Sequence, residues 1–167
     1  MNRRLFIFIL FLSIAFSLSV ESGGKLSREE LAIDVKHYEI DIRIDPYKKT
    51  IMGQVSIRFE LLEETNNIVL DLLEKYTVSG AAINGMSLSY KKRNNKLYIE
   101  NPGLEIFSDH VLAIKYGGRP PEAKNPPWDG GVTWSRDSND NHWVSVSCQT
   151  NGAHIWFPCK EHPSDKV

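Results

Sequence analysis

The sequence lacks the motifs that mark the common hydrolases. Its 167 residues contain only two cysteines, so at most one disulfide can form. No serine lies in a G-x-S-x-G nucleophile motif, and the zinc-binding sequence H-E-x-x-H is absent from the whole chain. Cys148 and Cys159 are too widely spaced for paired zinc ligands, which usually have roughly two to four residues between them. These absences predict no catalytic residue and no metal ligand in this chain.

Long apolar runs are scarce after the N-terminus. The first 20 residues combine Arg3 and Arg4 with a mostly apolar run over residues 5–18, followed by small residues. This run is shorter than the roughly 20 residues needed to cross a membrane. Residues 1–20 are therefore predicted to be a cleaved signal peptide, with an uncleaved N-terminal anchor as the alternative. The protein is expected to be exported, to the periplasm or the extracellular space.

The rest of the chain has little excess charge of either sign. Without Arg3 and Arg4 it has 18 basic and 21 acidic side chains, a net charge of −3. That balance gives no reason to expect nucleic acid or an anionic membrane surface as a partner. No later run is apolar enough to span a membrane. We predict a short leader at residues 21–33, with a capping box between Ser27 and Glu30, and one domain at residues 34–167.

Alternation of apolar and polar residues is the dominant pattern in that domain. It extends over residues 38–44 and 51–61, and the turn at residues 45–49 joins the two into a predicted hairpin. Further strands are predicted at residues 67–72, 76–83, 88–92, 96–100 and 110–116, with tight turns at Asn84-Gly85 and Asn94-Asn95. The pattern predicts an all-β fold, either a β-sandwich or an open, curved, mostly antiparallel sheet. A lectin-like jelly roll is the alternative.

Proline and glycine concentrate in residues 117–131, which cannot lie inside a sheet because proline lacks a backbone donor. We predict a long surface loop, either a crossover pinned by Trp128 or a loop that faces a substrate or another domain. Alternation then returns and predicts that Val144, Val146 and Cys148 face the core. Gln149 would point away from the core, where its amide can donate and accept hydrogen bonds. Residues 153–157 are predicted to form one more strand.

The C-terminal stretch SCQTNGAHIWFPCKEHPSDKV resembles the end of the N-terminal domain of the aminopeptidase N-like zinc metallopeptidases. These are the gluzincin aminopeptidases and the leukotriene hydrolase-like enzymes. The matching features are Gln149, the run at residues 156–159, Glu161 and the ending at residues 163–166. The loop KNPPWDGGVTW at residues 124–134 is similar to a bacterial-type branch of the same family.

The resemblance implies a saddle-shaped β-sandwich next to a thermolysin-like catalytic domain, in cis or in trans. It implies that Gln149 binds the substrate and helps to hold the N-terminus of a peptide. The zinc cofactor would belong to the parent family's catalytic domain, with none in this chain. The chain is therefore expected to be inactive alone, incomplete at its C-terminus and without its last strands.

Two other functions fit the sequence. The first is a stand-alone secreted β-sandwich that binds a partner without catalysis. The second is a carbohydrate-binding sandwich that uses Trp128, Trp134 and Trp143.

Overall fold

A computed structural model describes residues 24–163 of the chain. Residues 1–20, with the predicted signal peptide, lie outside the described residues. Within them a short helix, α1 (Arg28–Leu31), precedes ten strands: β1 (Ile33–Asp45), β2 (Thr50–Leu61), β3 (Asn67–Asp71), β4 (Tyr76–Ile83), β5 (Met86–Ser87), β6 (Tyr90–Arg93), β7 (Lys96–Glu100), β8 (Asp109–Gly118), β9 (Gly131–Arg136) and β10 (His142–Ser147). A 3-10 helix, Ala153–Ile155, follows them. None of the described helices is long and apolar enough to cross a membrane.

The largest sheet has five antiparallel strands in the order β1-β2-β8-β4-β5. Its first two strands form the predicted hairpin. The turn between them is stabilised by the Asp45 carboxylate, which accepts hydrogen bonds from the backbone N–H groups of Tyr47 and Lys48, each at 3.0 Å. An aspartate that bonds the backbone two and three residues ahead is a common way to reverse a chain. The turn chemistry seen in the sequence is therefore confirmed.

A second sheet, β3-β7-β6, packs against the first and completes a β-sandwich. The apolar residues of both sheets form one buried cluster, which confirms the predicted all-β fold. Each fully buried aliphatic or aromatic side chain in it contributes about 1.5–3 kcal/mol. The central members of this cluster are Val55, Ile57, Phe59, Leu61, Ile68, Leu70, Leu97, Ile99, Leu112 and Ile114.

Helix α1 begins with the predicted capping box. The Ser27 hydroxyl accepts the Glu30 N–H at 3.2 Å, and the Glu30 carboxylate accepts the Ser27 N–H at 2.8 Å. Lys96 also contacts Glu30 at 2.5 Å and Asp71 at 2.7 Å. Burial alone would raise the pKa of Glu30, but the hydrogen bonds from Lys96 and Ser27 outweigh it and lower that pKa. The leader is thereby tied to β7 and to the end of β3.

This network predicts a loss of stability in acid. A carboxylate whose pKa is lower in the folded chain stabilises the fold above its unfolded pKa, near 4.5 for Glu30. The contribution is lost as the pH falls through the lowered folded value. In urea denaturation between about pH 6 and pH 3, the Glu30→Gln variant should lose less stability than the wild type. Glu63→Gln, which removes an exposed carboxylate outside the network, serves as the control. If the stability of the wild type and of Glu30→Gln fell equally with decreasing pH, the lowered pKa of Glu30 in the folded chain would be contradicted.

The remaining sheet is a two-stranded hairpin, β9–β10, and it corrects one prediction. Paired residues such as Val144 and Trp134 share one face, as the alternation predicted, whereas Trp143 shares the other face with Ser135. However, neither face of β10 packs into the core: Val146 is 39% exposed, Trp143 is 60% exposed and Cys148 is exposed. The predicted core position of Cys148 is wrong, because β10 is not packed into the buried cluster that the two larger sheets share in the described chain.

The segment after the hairpin also differs from prediction. Residues 153–157 form a 3-10 helix and an irregular turn rather than a strand. Two buried tyrosines explain the difference. The Tyr76 hydroxyl donates to the Ile155 carbonyl at 2.7 Å, and the Tyr116 hydroxyl donates to the Trp156 carbonyl at 2.8 Å. Side chains of β4 and β8 thus satisfy the backbone groups that a strand partner would otherwise have bonded.

The proline-rich loop after β8 lies on the surface as predicted, but Trp128 does not pin it. Trp128 is 78% exposed. The Asp129 carboxylate closes the loop instead, since it accepts the backbone N–H groups of Lys124 at 2.8 Å and Asn125 at 2.6 Å. Lys49 reaches across from the β1–β2 turn to Glu122 at 2.6 Å. The loop's shape is therefore set by polar contacts, and its tryptophan stays available at the surface.

Candidate functional site

Gln149 lies in an exposed turn directly after β10. We call residues 148–152 the Gln149 turn. The Gly152 N–H donates to the Cys148 carbonyl at 2.9 Å and closes it. Thr150 has φ 64° and Gly152 has φ 81°, and these left-handed conformations reverse the chain within five residues. Gln149 itself is exposed, so its side-chain amide is presented to solvent at the tip of a defined turn.

One side of the turn is held by the proline-rich loop. Gly130 approaches Asn151 so closely that a Cβ on Gly130 would stand 2.3 Å from the Asn151 side-chain oxygen. One residue before the turn, the Ser147 hydroxyl donates to the Pro127 carbonyl at 2.8 Å. The loop predicted to face a substrate or a domain therefore supports the turn that carries Gln149.

The other side of the turn rests on the Glu161 carboxylate. One of its oxygens accepts the His154 N–H at 2.8 Å, lies 3.3 Å from the His154 Nδ1 and accepts the Cys159 thiol at 3.4 Å. Gly152 lies against the same group, because a Cβ there would stand 2.1 Å from the Glu161 carboxyl carbon. A single carboxylate thus contacts both the end of the Gln149 turn and the start of the 3-10 helix.

Glu161 is anchored in turn to the sandwich. Its backbone N–H donates to the Asp71 carboxylate at 3.0 Å. Asp71 and Cys159 exchange two backbone hydrogen bonds, at 2.7 Å and 3.1 Å, so this segment adds a short bridge beside β3. The other oxygen of the Asp71 carboxylate contacts Lys96. A continuous polar path therefore joins α1, β7, β3 and the Gln149 turn.

Burial would raise the pKa of Glu161, but the hydrogen bonds from the His154 side chain and backbone, with that from Cys159, lower it overall. Glu161 is therefore ionised at neutral pH and can accept several donors at once. The pKa of the Cys159 thiol is shifted in the opposite direction. Burial, followed by the negative charges of Glu161 and Asp71, raises its pKa well above the usual value. Cys159 is therefore a protonated donor here.

The residues around Glu161 do not form a zinc site. No group of three or more His, Cys, Asp or Glu in residues 24–163 could hold a metal ion. Both cysteines lie in this range and both are free thiols. Burial and the charge of Glu161 raise the pKa of the Cys148 thiol, although a hydrogen bond from Trp156 opposes them.

Aromatic packing fixes the segment from residue 155 to residue 160. Phe157 packs edge-on against Tyr38, with 5.6 Å between ring centroids, and against Trp156 at 4.6 Å. The Lys160 N–H donates to the Tyr38 hydroxyl at 2.9 Å. Lys160 is buried, and its ammonium donates to the Ile33 carbonyl at 2.6 Å. The segment at residues 156–159, which carried the resemblance, is thus packed against the sandwich. Gln149, the other residue of the resemblance with an expected role, is exposed.

The three tryptophans proposed as a carbohydrate platform do not share one surface. Trp143 and Trp134 lie on opposite faces of the β9–β10 hairpin, because Trp134 pairs with Val144 and Trp143 pairs with Ser135. Stacking of a sugar chain needs aromatic faces on one side. The arrangement therefore does not support the carbohydrate-binding prediction.

The sequence singles out Gln149 as a candidate, but it does not reveal the residues that fix its turn. Glu161 was noted only as part of the resemblance, and Asp71 and Lys96 were not singled out. The sequence holds one usable signal, the adjacent Asn151 and Gly152, which tolerate positive φ and indicate a turn. Nothing local relates Glu161 to Asp71, which is 90 residues away in the chain.

Comparison with known proteins agrees with this fold. The family model described as Peptidase M1 N-terminal domain matches residues 34–167. The crystal structure of the M1 zinc metallopeptidase from Deinococcus radiodurans is 26% identical, with a TM-score of 0.62, and the match covers 80% of this chain and 30% of that chain. A mutant of that protein, with the same identity, TM-score and coverage, was solved bound to a Tyr-Ser-Ala substrate.

Native leukotriene A4 hydrolase from Saccharomyces cerevisiae has a TM-score of 0.65 at 19% identity, over 82% of this chain and 22% of that chain. At that identity the likeness shows the fold alone. The chain spans less than a third of the length of these solved structures. Because the family model covers most of the sequence, this chain belongs to the Peptidase M1 N-terminal domain family.

Proposed function

We propose that this chain is the N-terminal domain of an exported, zinc-dependent aminopeptidase and that Gln149 binds the free α-amine of a peptide substrate. The observation that carries the proposal is the exposed position of Gln149 on a turn that is supported from two sides. Family membership supplies the reaction class. That a related enzyme was solved with Tyr-Ser-Ala bound supports a short peptide as the substrate.

The chemistry of the side chain suits this role. The amide oxygen of a glutamine accepts a hydrogen bond from an ammonium group without adding a charge that would have to be desolvated. A hydrogen bond to a charged group contributes about 1.5–3 kcal/mol. An anchor on the terminal amine fixes how far the first peptide bond lies from the reacting centre, which is how positioning groups assist catalysis.

Zinc would be held by a catalytic domain outside this chain, joined in cis or supplied in trans, where it would activate water for hydrolysis. The described residues would contribute the amine anchor and the surface on which that domain rests. The exposed Trp128 and Trp143 suit such a surface, because large aromatic side chains are enriched at protein interfaces. Export is proposed from residues 1–20 and is tested by the mass of the mature N-terminus.

The test uses a fusion enzyme, in which residues 21–167 of this chain replace the matching part of the Deinococcus radiodurans enzyme. Gln149→Ala should lower kcat/KM for aminoacyl substrates about 10- to 100-fold, the equivalent of one charge-assisted hydrogen bond. Gln54→Ala is the matched control, since Gln54 is the other glutamine of the chain and lies on β2. It should leave kcat/KM within about two-fold.

Equal kinetics for Gln149→Ala and the parent fusion enzyme would rule out the amine anchor. A folded fusion enzyme without aminopeptidase activity would count against the domain's role in catalysis. The alternative, a stand-alone binding module, is favoured only by the same exposed tryptophans. It predicts that the chain binds a partner but shows no association with an M1 catalytic domain supplied in trans, as measured by sedimentation.

A further inference from the structure

We propose that Glu161 is a positioning residue that sets the place of Gln149 relative to the β-sandwich. The inference rests on the proposed function of Gln149 and deepens it, because it names the group that would determine where the amine anchor stands. Glu161 does not touch the substrate in this scheme. It acts through the backbone of Gly152 and His154.

Glu161 contacts the Gln149 turn directly. Gly152 closes the Gln149 turn through its hydrogen bond to Cys148, and it has no room for a side chain because both Glu161 carboxylate oxygens lie against it. A Cβ on Gly152 would stand 2.2 Å and 2.5 Å from these oxygens. Two residues further on, the His154 N–H donates to one of them. The C-terminal half of the turn is therefore built directly on this carboxylate.

Glu161 is itself held by the β-sandwich. Glu161 is half-buried, and its own N–H is bonded to Asp71 at the end of β3. Asp71 lies opposite Lys96 of β7 in the strand register, and its carboxylate also forms a salt bridge with the Lys96 ammonium. The N-terminal side of the turn has a weaker support, since it leaves β10, a strand of a two-stranded hairpin whose own residues are mostly exposed. Such hairpins are marginal alone. Glu161 is thus the turn's link to the core.

A control variant separates positioning from general stability. Glu30 is a buried carboxylate of the same network, and its loss should also destabilise the fold. It contacts Lys96 and Ser27 and lies at the far end of the polar path from the Gln149 turn. Glu30→Gln therefore serves as a control for any effect that comes only from weakening the network.

The first experiment is independent of catalysis. In the 167-residue chain, Glu161→Gln keeps the side-chain volume but removes the charge and one acceptor oxygen. Hydrogen exchange at the Gly152 and His154 amides should become at least about ten-fold faster. Exchange at the core strands β2 and β8 should change much less. Glu30→Gln should leave the Gly152 and His154 amides unchanged. Unchanged exchange at these two amides in a folded Glu161→Gln chain would overturn the inference.

The second experiment uses the fusion enzyme and a double-mutant cycle. Glu161→Gln should raise KM for aminoacyl substrates about three- to ten-fold. In the Gln149→Ala background, Glu161→Gln should raise KM no further, because the side chain that Glu161 positions is already absent. Glu161→Asp, which keeps the charge but shortens the side chain, should give an intermediate KM if Glu161→Gln fails to fold.

The outcomes separate the two proposals. If Gln149→Ala has no kinetic effect, the amine anchor fails, and the exchange data alone decide whether Glu161 holds the turn. If Gln149→Ala lowers kcat/KM while Glu161→Gln leaves KM unchanged, the positioning role is overturned. It is also overturned if the two effects simply add, or if Glu30→Gln raises KM equally.

Discussion

Replacement of Gly152 by alanine should destabilise the domain by roughly 2–5 kcal/mol. A left-handed backbone conformation costs a residue with a Cβ about 1–2 kcal/mol, and forced overpacking costs about 1–3 kcal/mol more. Both terms apply here, because Gly152 has φ 81° and its Cβ would overlap the Glu161 carboxylate. The carboxylate would have to leave His154, so the loss of stability should come with disorder of the Gln149 turn. Urea denaturation measures the first effect and hydrogen exchange measures the second.

Gly85 supplies a matched control for this substitution. It has nearly the same φ, 80°, but nothing lies within 4 Å of the place where its Cβ would stand. Gly85→Ala should therefore show only the conformational cost, about 1–2 kcal/mol. If both variants lost the same stability, the contact between Gly152 and Glu161 would carry no energetic weight.

Replacement of Gly53 by alanine should be at least as damaging, by about 3 kcal/mol or more. Gly53 lies in β2 opposite Ile42 of β1 and Tyr116 of β8. Its Cβ would stand 2.1 Å from the Asp41 carbonyl oxygen and 2.8 Å from the Ile42 Cα. These are backbone atoms of a paired strand, so no side-chain rotation can relieve the overlap. The β1–β2 ladder would have to separate locally, and urea denaturation should show a lower midpoint.

Gly80 in β4 is the control for Gly53, since both lie in the five-stranded sheet. No atom lies within 4 Å of a Cβ at Gly80. Gly80→Ala should change the free energy of unfolding by less than about 1 kcal/mol. A destabilisation of Gly53→Ala no greater than this would show that β1 can move away without loss of packing.

Much of the fold could be predicted from local pattern. The β1–β2 hairpin followed from strict alternation and from Asp45 at its turn, and the capping box followed from Ser27 and Glu30. The Asn94-Asn95 turn was also confirmed, with φ 53° and 58°. In each case the interactions that form the element lie within a few residues of one another, so the sequence carries them directly.

The predictions that failed depended on what packs over a segment. The alternation of Val144, Val146 and Cys148 was correct as a pattern, but Val146 and Cys148 stay exposed because β10 is not packed into the sandwich core in the described chain. Residues 153–157 are apolar enough for a strand. However, the Tyr76 hydroxyl donates a hydrogen bond to the Ile155 carbonyl, and the Tyr116 hydroxyl donates one to the Trp156 carbonyl. Trp128 was expected to anchor its loop, whereas Asp129 does so.

The sequence by itself determined that this protein is a β-sandwich of the Peptidase M1 N-terminal domain type and that Gln149 is the candidate for substrate contact. Periodicity, turn residues and a family motif are properties of neighbouring residues, and they need no partner from elsewhere in the chain. Only the tertiary structure decided what holds Gln149 in place. Glu161, Asp71 and Lys96 meet because the sandwich brings the end of β3 and the start of β7 beneath the Gln149 turn. Buried carboxylates are tolerated only where such partners converge, and convergence across 90 residues is set by the fold.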